Sequence, residues 1–482
     1  MLFNSIEFLI FLPIVFAIYW LLRNHLKLQN LFVVLASYVF YGWWDWRFLI
    51  LIAFTSFCSW GSGLLIERAN VRSPVNPLTP SPLAKFWMIA NVVLNLGILA
   101  VFKYYDFFVT EFITTFFAES VQPSLLHSFT LKVILPVGIS FYTFQALSYS
   151  IDVYRKKIEP TRDIVAFFAY VAFFPQLVAG PIERATNLLP QFLQKRSFSY
   201  DQGVDGMRQI LWGLFKKIVI ADNCAMYVDQ VWSTYDTQSG STLLLAAVLF
   251  TFQIYGDFSG YSDIAIGTAK LFGIKLMRNF NNPYFSRDIA EFWRRWHISL
   301  TTWFRDYVYI PLGGSRVGKW KIVRNTFIIF LLSGFWHGAN WTFIAWGAFH
   351  AALFLPLILL GKNRKYTSND ATWKDFPKML LTFAFAVIGW IIFRAETITQ
   401  AWDILCGICS SSLFSIPDHA GIHALFLNLA LLIVVEWLQR DKQHSLDIAN
   451  LPAYCRYAIY YGLLFIIFAF GGNTVNFIYF QF

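Results

Sequence analysis

The chain has 482 residues, of which 57% are hydrophobic, 20% aromatic and only 14% charged. So apolar a composition excludes an ordinary soluble globular domain and is typical of a polytopic integral membrane protein. The formal net charge of +10 does not indicate a nucleic-acid-binding protein, because the cations cluster in short loops between apolar runs, as they do in the cytoplasmic loops of membrane proteins.

The first apolar run, 6–22, has no basic segment before it and no small-residue cleavage site, so we expect it to remain as a transmembrane helix. Arg23, His25 and Lys27 follow it, and the positive-inside rule therefore predicts an outward-facing N-terminus. Further apolar runs cover 31–42, 48–66, 86–102, 133–151, 164–179, 207–221 and 243–255. Several are shorter than the roughly 20 residues of a straight crossing, so some are expected to be tilted, re-entrant or buried. A proline- and serine-rich stretch over 71–82 predicts a loop.

Two carboxylates follow the last of these runs, Asp257 and Asp263. They fit either a proton or cation path or a structural pair bound by the neighbouring tyrosine and serine hydroxyls, and we favour the structural role.

The stretch 287–340 concentrates arginines, lysines, tryptophans and two histidines, which makes it the best candidate for the functional centre of the chain. Within it, apolar and aromatic residues at spacings of three and four predict one amphipathic helix over 291–307, of a kind suited to a membrane surface. His297 lies beside this apolar stripe. Three arginines are expected to surround it with positive charge: Arg294, Arg295 and Arg305.

The second histidine of this stretch, His337, ends the apolar run 326–336. An ionisable group at membrane depth is costly to retain and indicates a functional residue, although a histidine hydrogen-bonded between packed helices is an equally good interpretation. An attacking hydroxyl must lose a proton, and imidazole titrates near neutral pH. His337 is therefore the best candidate for a general base.

Between the two histidines, GGSRVGK over 313–319 nearly matches a phosphate-binding loop. Trp320 stands where a magnesium-binding serine or threonine is needed, which argues against nucleotide hydrolysis. The loop could instead bind the phosphates of a coenzyme A thioester from the cytoplasm, although ordinary positive charge of a cytoplasmic loop explains it equally well. The cations concerned are Arg316, Lys319, Lys321 and Arg324. No histidine pair has metal-ligand spacing beside an acid, so we predict no metal site.

After this centre, further crossings are predicted over 341–360, 380–393, 424–438 and 459–470. The basic stretch 361–378 is expected in the cytoplasm, and the acidic stretch 396–421 is expected outside. No repeat of fixed period is present, so we predict one integral membrane domain over 1–482.

Six blocks of the sequence stand out together: EFWRRWHISLTTWFRDYVYIPLGG (291–314), LSGFWHGANWTFIAWGAFH (332–350), LPVGISFYTFQALSYSIDVYR (135–155), FFPQLVAGPIER (173–184), YGDFSGYSDIAIG (255–267) and the terminal YFQF (479–482). They resemble the membrane-bound O-acyltransferase family, in the bacterial polysaccharide branch typified by the alginate O-acetylation protein. The resemblance extends over nearly the whole chain. It implies an all-α polytopic membrane protein with about eleven transmembrane helices, together with re-entrant and amphipathic helices around a central tunnel.

The resemblance also implies a reaction, in which an acetyl group passes from cytoplasmic acetyl-coenzyme A through the tunnel to a hydroxyl of an extracytoplasmic acceptor. That acceptor would be an envelope polysaccharide such as alginate or peptidoglycan, and an extracytoplasmic acetyltransferase or esterase-like partner protein would receive the group. The family pattern makes His337 the catalytic histidine and gives His297 a supporting role, with Trp336 and Asn340 expected at the substrate. It requires no metal and no tightly bound cofactor, and it places the protein in the bacterial cytoplasmic membrane.

Two other functions stay open at the level of the sequence. One is transfer of an acyl group to a lipid or protein acceptor. The other is a non-enzymatic transporter, in which intramembrane polar residues would form the pathway. The transporter is the weaker alternative, because no corresponding interrupted helices appear in the two halves of the chain.

Overall fold

The computed structural model describes residues 1–72, 80–117, 135–368, 370–419, 421–472, 475 and 477–478. Over these residues the chain is helical and contains no strand, which confirms the predicted all-α fold class. Most of the loop predicted over 71–82, and all of the terminal YFQF, lie outside the described residues. The chain divides into two compact units: Met1–Tyr200 with Ala269–Leu276, and Asp201–Thr268 with Met277–Phe482.

The first unit is built from short and long helices. They are α1 (Ile6–Leu21), α2 (Leu26–Gly42), α3 (Phe48–Arg72), α4 (Pro82–Lys103), α5 (Tyr105–Phe117), α6 (Ile139–Tyr154), α7 (Ile164–Ala172), α8 (Phe174–Leu177) and α9 (Ala185–Phe192). The run predicted over 164–179 is interrupted between α7 and α8, where Pro175 occupies the first turn of α8. Proline lacks the N–H that would continue the hydrogen-bond ladder of α7, so the helix restarts there.

The second unit holds the remaining helices. They are α10 (Tyr200–Leu214) with a π-helical continuation (Phe215–Ala221), α11 (Asp222–Ser233), α12 (Gly240–Leu271), α13 (Ile289–Arg295), α14 (Ile298–Phe304) with a π-helical continuation (Arg305–Tyr309), α15 (Lys319–His337), α16 (Trp341–Leu359), α17 (Phe376–Arg394), α18 (Ile398–Ile408), α19 (His423–Leu438) and α20 (Ala453–Phe470).

Within the described part of the chain, six helices are long and apolar enough to cross a membrane: α3, α4, α12, α16, α17 and α20. Three shorter apolar helices accompany them: α1, α2 and α19. The chain is therefore multi-pass. The total of about eleven crossings stays a prediction, because six helices meet both criteria of length and composition.

The helix α12 continues well beyond the apolar run predicted to end at Tyr255. Its two acids are tolerated because each meets a lysine of the neighbouring π-helical segment: Asp263 lies 2.6 Å from Lys216 and Asp257 lies 2.7 Å from Lys217. Close approach of α10 makes these pairs reachable, since a Cβ on Gly260 would lie 2.8 Å from the carbonyl oxygen of Gly213. The acids thus form buried ion pairs with lysines, and the tyrosine and serine partners expected from the sequence are not the ones found.

Candidate active site

The single helix predicted over 291–307 is wrong, because the chain breaks at His297. This residue has a left-handed backbone, with φ 43° and ψ 54°, so α13 ends before it and α14 begins after it. The expectation of a membrane-surface helix is also wrong. Phe292, which belongs to the predicted stripe, and Trp293, which does not, are only 1% and 7% exposed. The segment therefore lies in the interior of the second unit.

A buried asparagine supports the backbone on the C-terminal side of His297. The carbonyl oxygen of Asn279 accepts a hydrogen bond from the Ile298 N–H at 2.8 Å, and its side-chain oxygen accepts two from Ser299, from N–H and hydroxyl. The Asn279 side-chain nitrogen donates in turn to the Ser262 hydroxyl of α12 at 3.1 Å. A left-handed residue other than glycine costs about 1 kcal/mol, so support of this kind is needed to retain it. Sequence reasoning missed Asn279, although the polar run RNFNN just after α12 was an available signal.

The imidazole of His297 is enclosed by aromatic rings. The ring centroids of Phe280, Phe258 and Trp336 lie 5.8, 6.3 and 6.2 Å from its own. His297 is outside the six candidate membrane spans, and burial in this apolar surrounding lowers the pKa of its imidazole to about 3. The ring is therefore neutral at physiological pH.

His337 is the last residue of α15, at the point where the chain turns into α16. The two helices approach closely, because a Cβ on Gly334 would lie 2.1 Å from the carbonyl oxygen of Phe343 and one on Gly347 would lie 2.4 Å from that of Phe330. This contact buries the His337 ring between those of Trp346 and Phe393, at centroid distances of 5.4 and 5.3 Å.

The structure brings the two sequence-predicted histidines to one place, with Trp336 between them. The indole centroid lies 6.2 Å from the His297 ring and 5.0 Å from the His337 ring. Both histidines are buried, at 3% and 7% exposure. Asn340 has a different position. Its side-chain oxygen caps α16 by accepting from Thr342 N–H at 2.9 Å, and its nitrogen donates to the Glu396 carbonyl at 2.8 Å, so it shapes the turn after His337.

A third histidine, His350, belongs to the same aromatic layer and was not identified from the sequence. It is 1% exposed, and its ring lies 5.0 Å from those of both Trp293 and Trp346. Trp346 contacts His337 as well, so one indole separates the two imidazoles. The only sequence signal was the position of His350, one helical turn after Trp346 and on the same face of α16.

A cavity of about 350 Å³, which we call the arginine cavity, lies beside α14. Its walls include the three arginines expected around His297, together with Thr301 and Thr302. Each arginine has partners: Arg295 is 2.7 Å from Glu291, Arg305 is 2.7 Å from Asp306, and Arg294 donates to backbone carbonyls. The arginines thus line a cavity next to the histidine segment and do not enclose the imidazole, whose neighbours are aromatic.

The opposite wall of this cavity is the segment 366–368, and two arginines hold it in place. Arg294 donates to the carbonyl oxygens of Asn363 and Tyr366, at 2.9 and 2.5 Å. Arg287 donates to the Ser368 carbonyl and to Asp370, and its guanidinium stacks 4.2 Å from the centre of the Tyr366 ring. The Arg287 guanidinium also holds the pKa of the exposed Asp370 carboxyl below its usual value.

The cations predicted to bind phosphate lie elsewhere. Arg316 precedes α15, whereas Lys319, Lys321 and Arg324 occupy its first turns, so the predicted loop ends at Gly318. All four side chains are exposed, and none of them lines the arginine cavity. They form a separate positive surface, which we call the α15 basic cluster.

Comparison with known proteins identifies one matching family and several related enzymes. The sequence model described as "MBOAT, membrane-bound O-acyltransferase family" matches residues 86–365. The chain is 42% identical to "Probable alginate O-acetylase AlgI" of Pseudomonas aeruginosa, over 83% of this chain and 74% of that protein. It is 33% identical to "Peptidoglycan O-acetyltransferase" of Helicobacter pylori, over 100% and 98%, and 28% identical to "Teichoic acid D-alanyltransferase" of Bacillus subtilis, over 54% and 69%.

Proposed function

This chain belongs to the membrane-bound O-acyltransferase family, and we propose that it transfers acetyl groups from acetyl-coenzyme A to hydroxyls of an envelope polysaccharide. The observation that carries the proposal is the meeting of His297, Trp336 and His337 in one buried site, although the two histidines are 40 residues apart in sequence. The relatives named as alginate and peptidoglycan acetylating enzymes support acetyl as the acyl group and a polysaccharide as the acceptor.

In the proposed reaction His337 acts as general base. Its imidazole takes the proton of the acceptor hydroxyl, and the oxygen attacks the thioester carbonyl carbon of the donor. The carbon–sulfur bond then breaks, the imidazolium returns its proton to the leaving thiolate, and an acetyl ester and free coenzyme A are the products. The buried surroundings suit this step, because a water-poor site limits hydrolysis of the thioester. Trp336 keeps the second imidazole, His297, at a fixed distance from this chemistry.

The arginine cavity is the better-supported entrance for the donor. It combines positive charge from Arg294 and Arg305 with the hydroxyls of Thr301 and Thr302, and guanidinium groups bind phosphate through paired hydrogen bonds. Ile298, which follows His297, lines the same cavity, so a donor held there would extend toward the histidine site. The α15 basic cluster is the alternative entrance.

The proposed location is the cytoplasmic membrane of a bacterium, with the donor entering from the cytoplasm. This orientation follows from the basic stretch 361–378, which contains the cavity wall 366–368. Where an extracytoplasmic acetyltransferase or esterase-like protein receives the acetyl group outside, the attacking hydroxyl is that of this partner, which then passes the acetyl group to the polysaccharide. The family resemblance carries this partner, and no cofactor beyond the donor is required for the base-catalysed step.

Replacement of His337 by alanine tests the proposed function. We expect His337→Ala to insert normally and to lower polysaccharide O-acetylation by about a hundredfold or more, the usual loss for a general base. The measurement is the ester content of polysaccharide isolated from cells that carry the variant, with mass spectrometry to show that the added group is acetyl.

A matched control is His423→Gln, because His423 is exposed at the start of α19 and lies outside the site. This variant should acetylate like the wild type. Wild-type acetylation by His337→Ala would remove the assignment of the base, and a different mass for the added group would change the acyl substrate.

A further inference from the structure

A second cavity in the same unit, of about 320 Å³, has no role in the proposed transfer reaction. It is a groove between α17 and α19. Tyr255 and Tyr284 contribute to its floor, and Met379, Phe383 and Leu432 are among the residues of its walls. Its surface is almost wholly apolar, so it is suited to a hydrocarbon ligand and not to coenzyme A or a sugar.

The groove opens on the side that faces lipid. Residues on its rim are strongly exposed: Leu380 of α17 is 56% exposed and Val434 of α19 is 54% exposed. The helix α17 is one of the six candidate membrane spans, and α19 is one of the shorter apolar helices. An apolar opening between two such helices exposes its interior to the acyl chains of the bilayer.

One acid, Glu436, reaches the groove, and it is already satisfied from within the protein. The Tyr255 hydroxyl lies 2.8 and 2.9 Å from its two carboxylate oxygens. Glu436 is buried, and its carboxylate group faces this tyrosine. The carboxylate therefore does not make the groove a site for a polar or cationic ligand.

One end of the groove has the composition of a membrane interface. The indoles of Trp373 and Trp437 lie 4.6 Å apart there, and the Arg440 guanidinium stacks on Trp437 at 4.4 Å. Lys374 and Lys442 are exposed beside these residues in sequence. Tryptophan is enriched at the headgroup level of a bilayer, and lysine and arginine near the surface attract anionic lipids.

We propose that this groove binds one acyl chain of an anionic phospholipid, with the headgroup phosphate at Lys374, Arg440 and Lys442. The apolar interior selects the chain, and the positive end selects the charge of the headgroup. This inference does not depend on the proposed acetyl transfer.

A lipid chain bound in the groove would affect the candidate active site through a single layer of aromatic side chains. Tyr255 and Tyr284, at the floor, lie 6.3 and 5.9 Å from the Trp296 ring, and Trp296 directly precedes His297. A bound chain would fill the space on the other side of these tyrosines. It would thus hold the aromatic layer against which the strained His297 segment packs.

Photolabelling tests the proposal. The full chain would be reconstituted in bilayers of equal phosphatidylglycerol and phosphatidylcholine, with a trace of either lipid carrying a diazirine on one acyl chain. We expect the phosphatidylglycerol probe to label peptides of α17 and α19 at least about fivefold more than the phosphatidylcholine probe. This ratio corresponds to the attraction of one basic residue for a headgroup of net negative charge, which the zwitterionic phosphatidylcholine lacks. Equal labelling by the two probes, or labelling spread evenly over all exposed helices, would overturn the proposal.

Two variants make the result specific. Leu432→Trp should fill the groove and remove the labelling, whereas Leu427→Trp, at a 74% exposed position of the same helix, should keep it. Lys374→Gln with Lys442→Gln changes exposed side chains only, so it leaves the core packing intact. It removes two of the three cations and should reduce the preference for the phosphatidylglycerol probe. Unchanged labelling of Leu432→Trp, or an unchanged phosphatidylglycerol preference in the lysine variant, would overturn the proposal. The readout is independent of acetylation, so its failure is distinguishable from failure of the proposed function.

Discussion

At the scale of single residues, His297 combines two properties that a core histidine does not need. Its backbone is left-handed, and its neutral ring is held 6.2 Å from the tryptophan that contacts His337. Such strain persists only where the surroundings impose it, and Asn279 supplies the hydrogen bonds that do so here. We therefore propose that His297 has a positioning role beside His337, the proposed general base.

Comparison of His297→Ala with His297→Gly separates the ring from the backbone. Both variants lose the imidazole, so both should lower kcat by about tenfold or more while the KM for acetyl-coenzyme A stays nearly unchanged. Glycine adopts the left-handed conformation without strain, so the glycine variant should be more stable than the alanine variant by about 1 kcal/mol. Steady-state kinetics and thermal unfolding in detergent micelles provide the two measurements.

The kinetic prediction and the stability prediction for these two variants can fail independently. Loss of acetyl-coenzyme A binding in His297→Ala would show that the histidine contacts the donor and does not position the reacting groups. Equal stability of the two variants would mean that the left-handed backbone carries no strain.

At the scale of elements, two positive surfaces are candidate binding sites for the phosphates of the proposed donor. They are the arginine cavity beside α14 and the α15 basic cluster. The cavity is enclosed on one side by 366–368 and adjoins the residue that follows His297. The basic cluster consists of exposed side chains, and its charge also fits the ordinary bias of a cytoplasmic loop. Geometry therefore favours the cavity. The sequence alone indicated the cluster, and it explained the charge of that cluster equally well as that of a cytoplasmic loop.

Paired neutralisations decide between the two surfaces. Arg294→Gln with Arg305→Gln should raise the KM for acetyl-coenzyme A by about tenfold with little change in kcat, because it removes binding that is equal in ground and transition states. Lys319→Gln with Lys321→Gln serves as the matched control, with the same loss of two charges. The measurement is a titration of acetyl-coenzyme A against the purified protein together with its proposed extracytoplasmic partner. A raised KM in the second variant alone would place the donor at the basic cluster.

At the scale of the whole molecule, the direction of transfer depends on which loops face the cytoplasm. The basic stretch 361–378 and the start of α15 should lie inside, and the acidic stretch 396–421 should lie outside. The proposed reaction needs this arrangement, because acetyl-coenzyme A is a cytoplasmic metabolite and the proposed acceptor is a polysaccharide of the cell envelope.

Cysteine labelling of intact cells with an impermeant maleimide tests the orientation. Cys406 and Cys409 are both exposed within the stretch expected outside, so the wild-type protein should be labelled and a variant with serine at both positions should not. In that serine background, Asp418→Cys should restore labelling, whereas Lys319→Cys and Lys365→Cys should remain unlabelled until the cells are permeabilised. Labelling of Lys319→Cys in intact cells would reverse the topology and remove the cytoplasmic entrance.

The amino-acid sequence by itself determined the class of the protein, the existence of most helices and the two histidines of the site. Composition and apolar run length are local properties, and they suffice to identify membrane helices such as α4 and α20. The motif blocks around His297 and His337 could also be recognised from the sequence, because each is a continuous segment.

Contacts between distant segments decided the rest. The break at His297 depends on hydrogen bonds that Ile298 and Ser299 donate to Asn279, and helical periodicity does not register such partners. The helix α12 runs on past Asp257 and Asp263 because lysines of another segment neutralise them. The arginine cavity exists because 366–368 packs against α13 and α14. Periodicity describes one helix at a time, whereas a buried charge or a strained backbone is retained only through partners that tertiary packing brings to it.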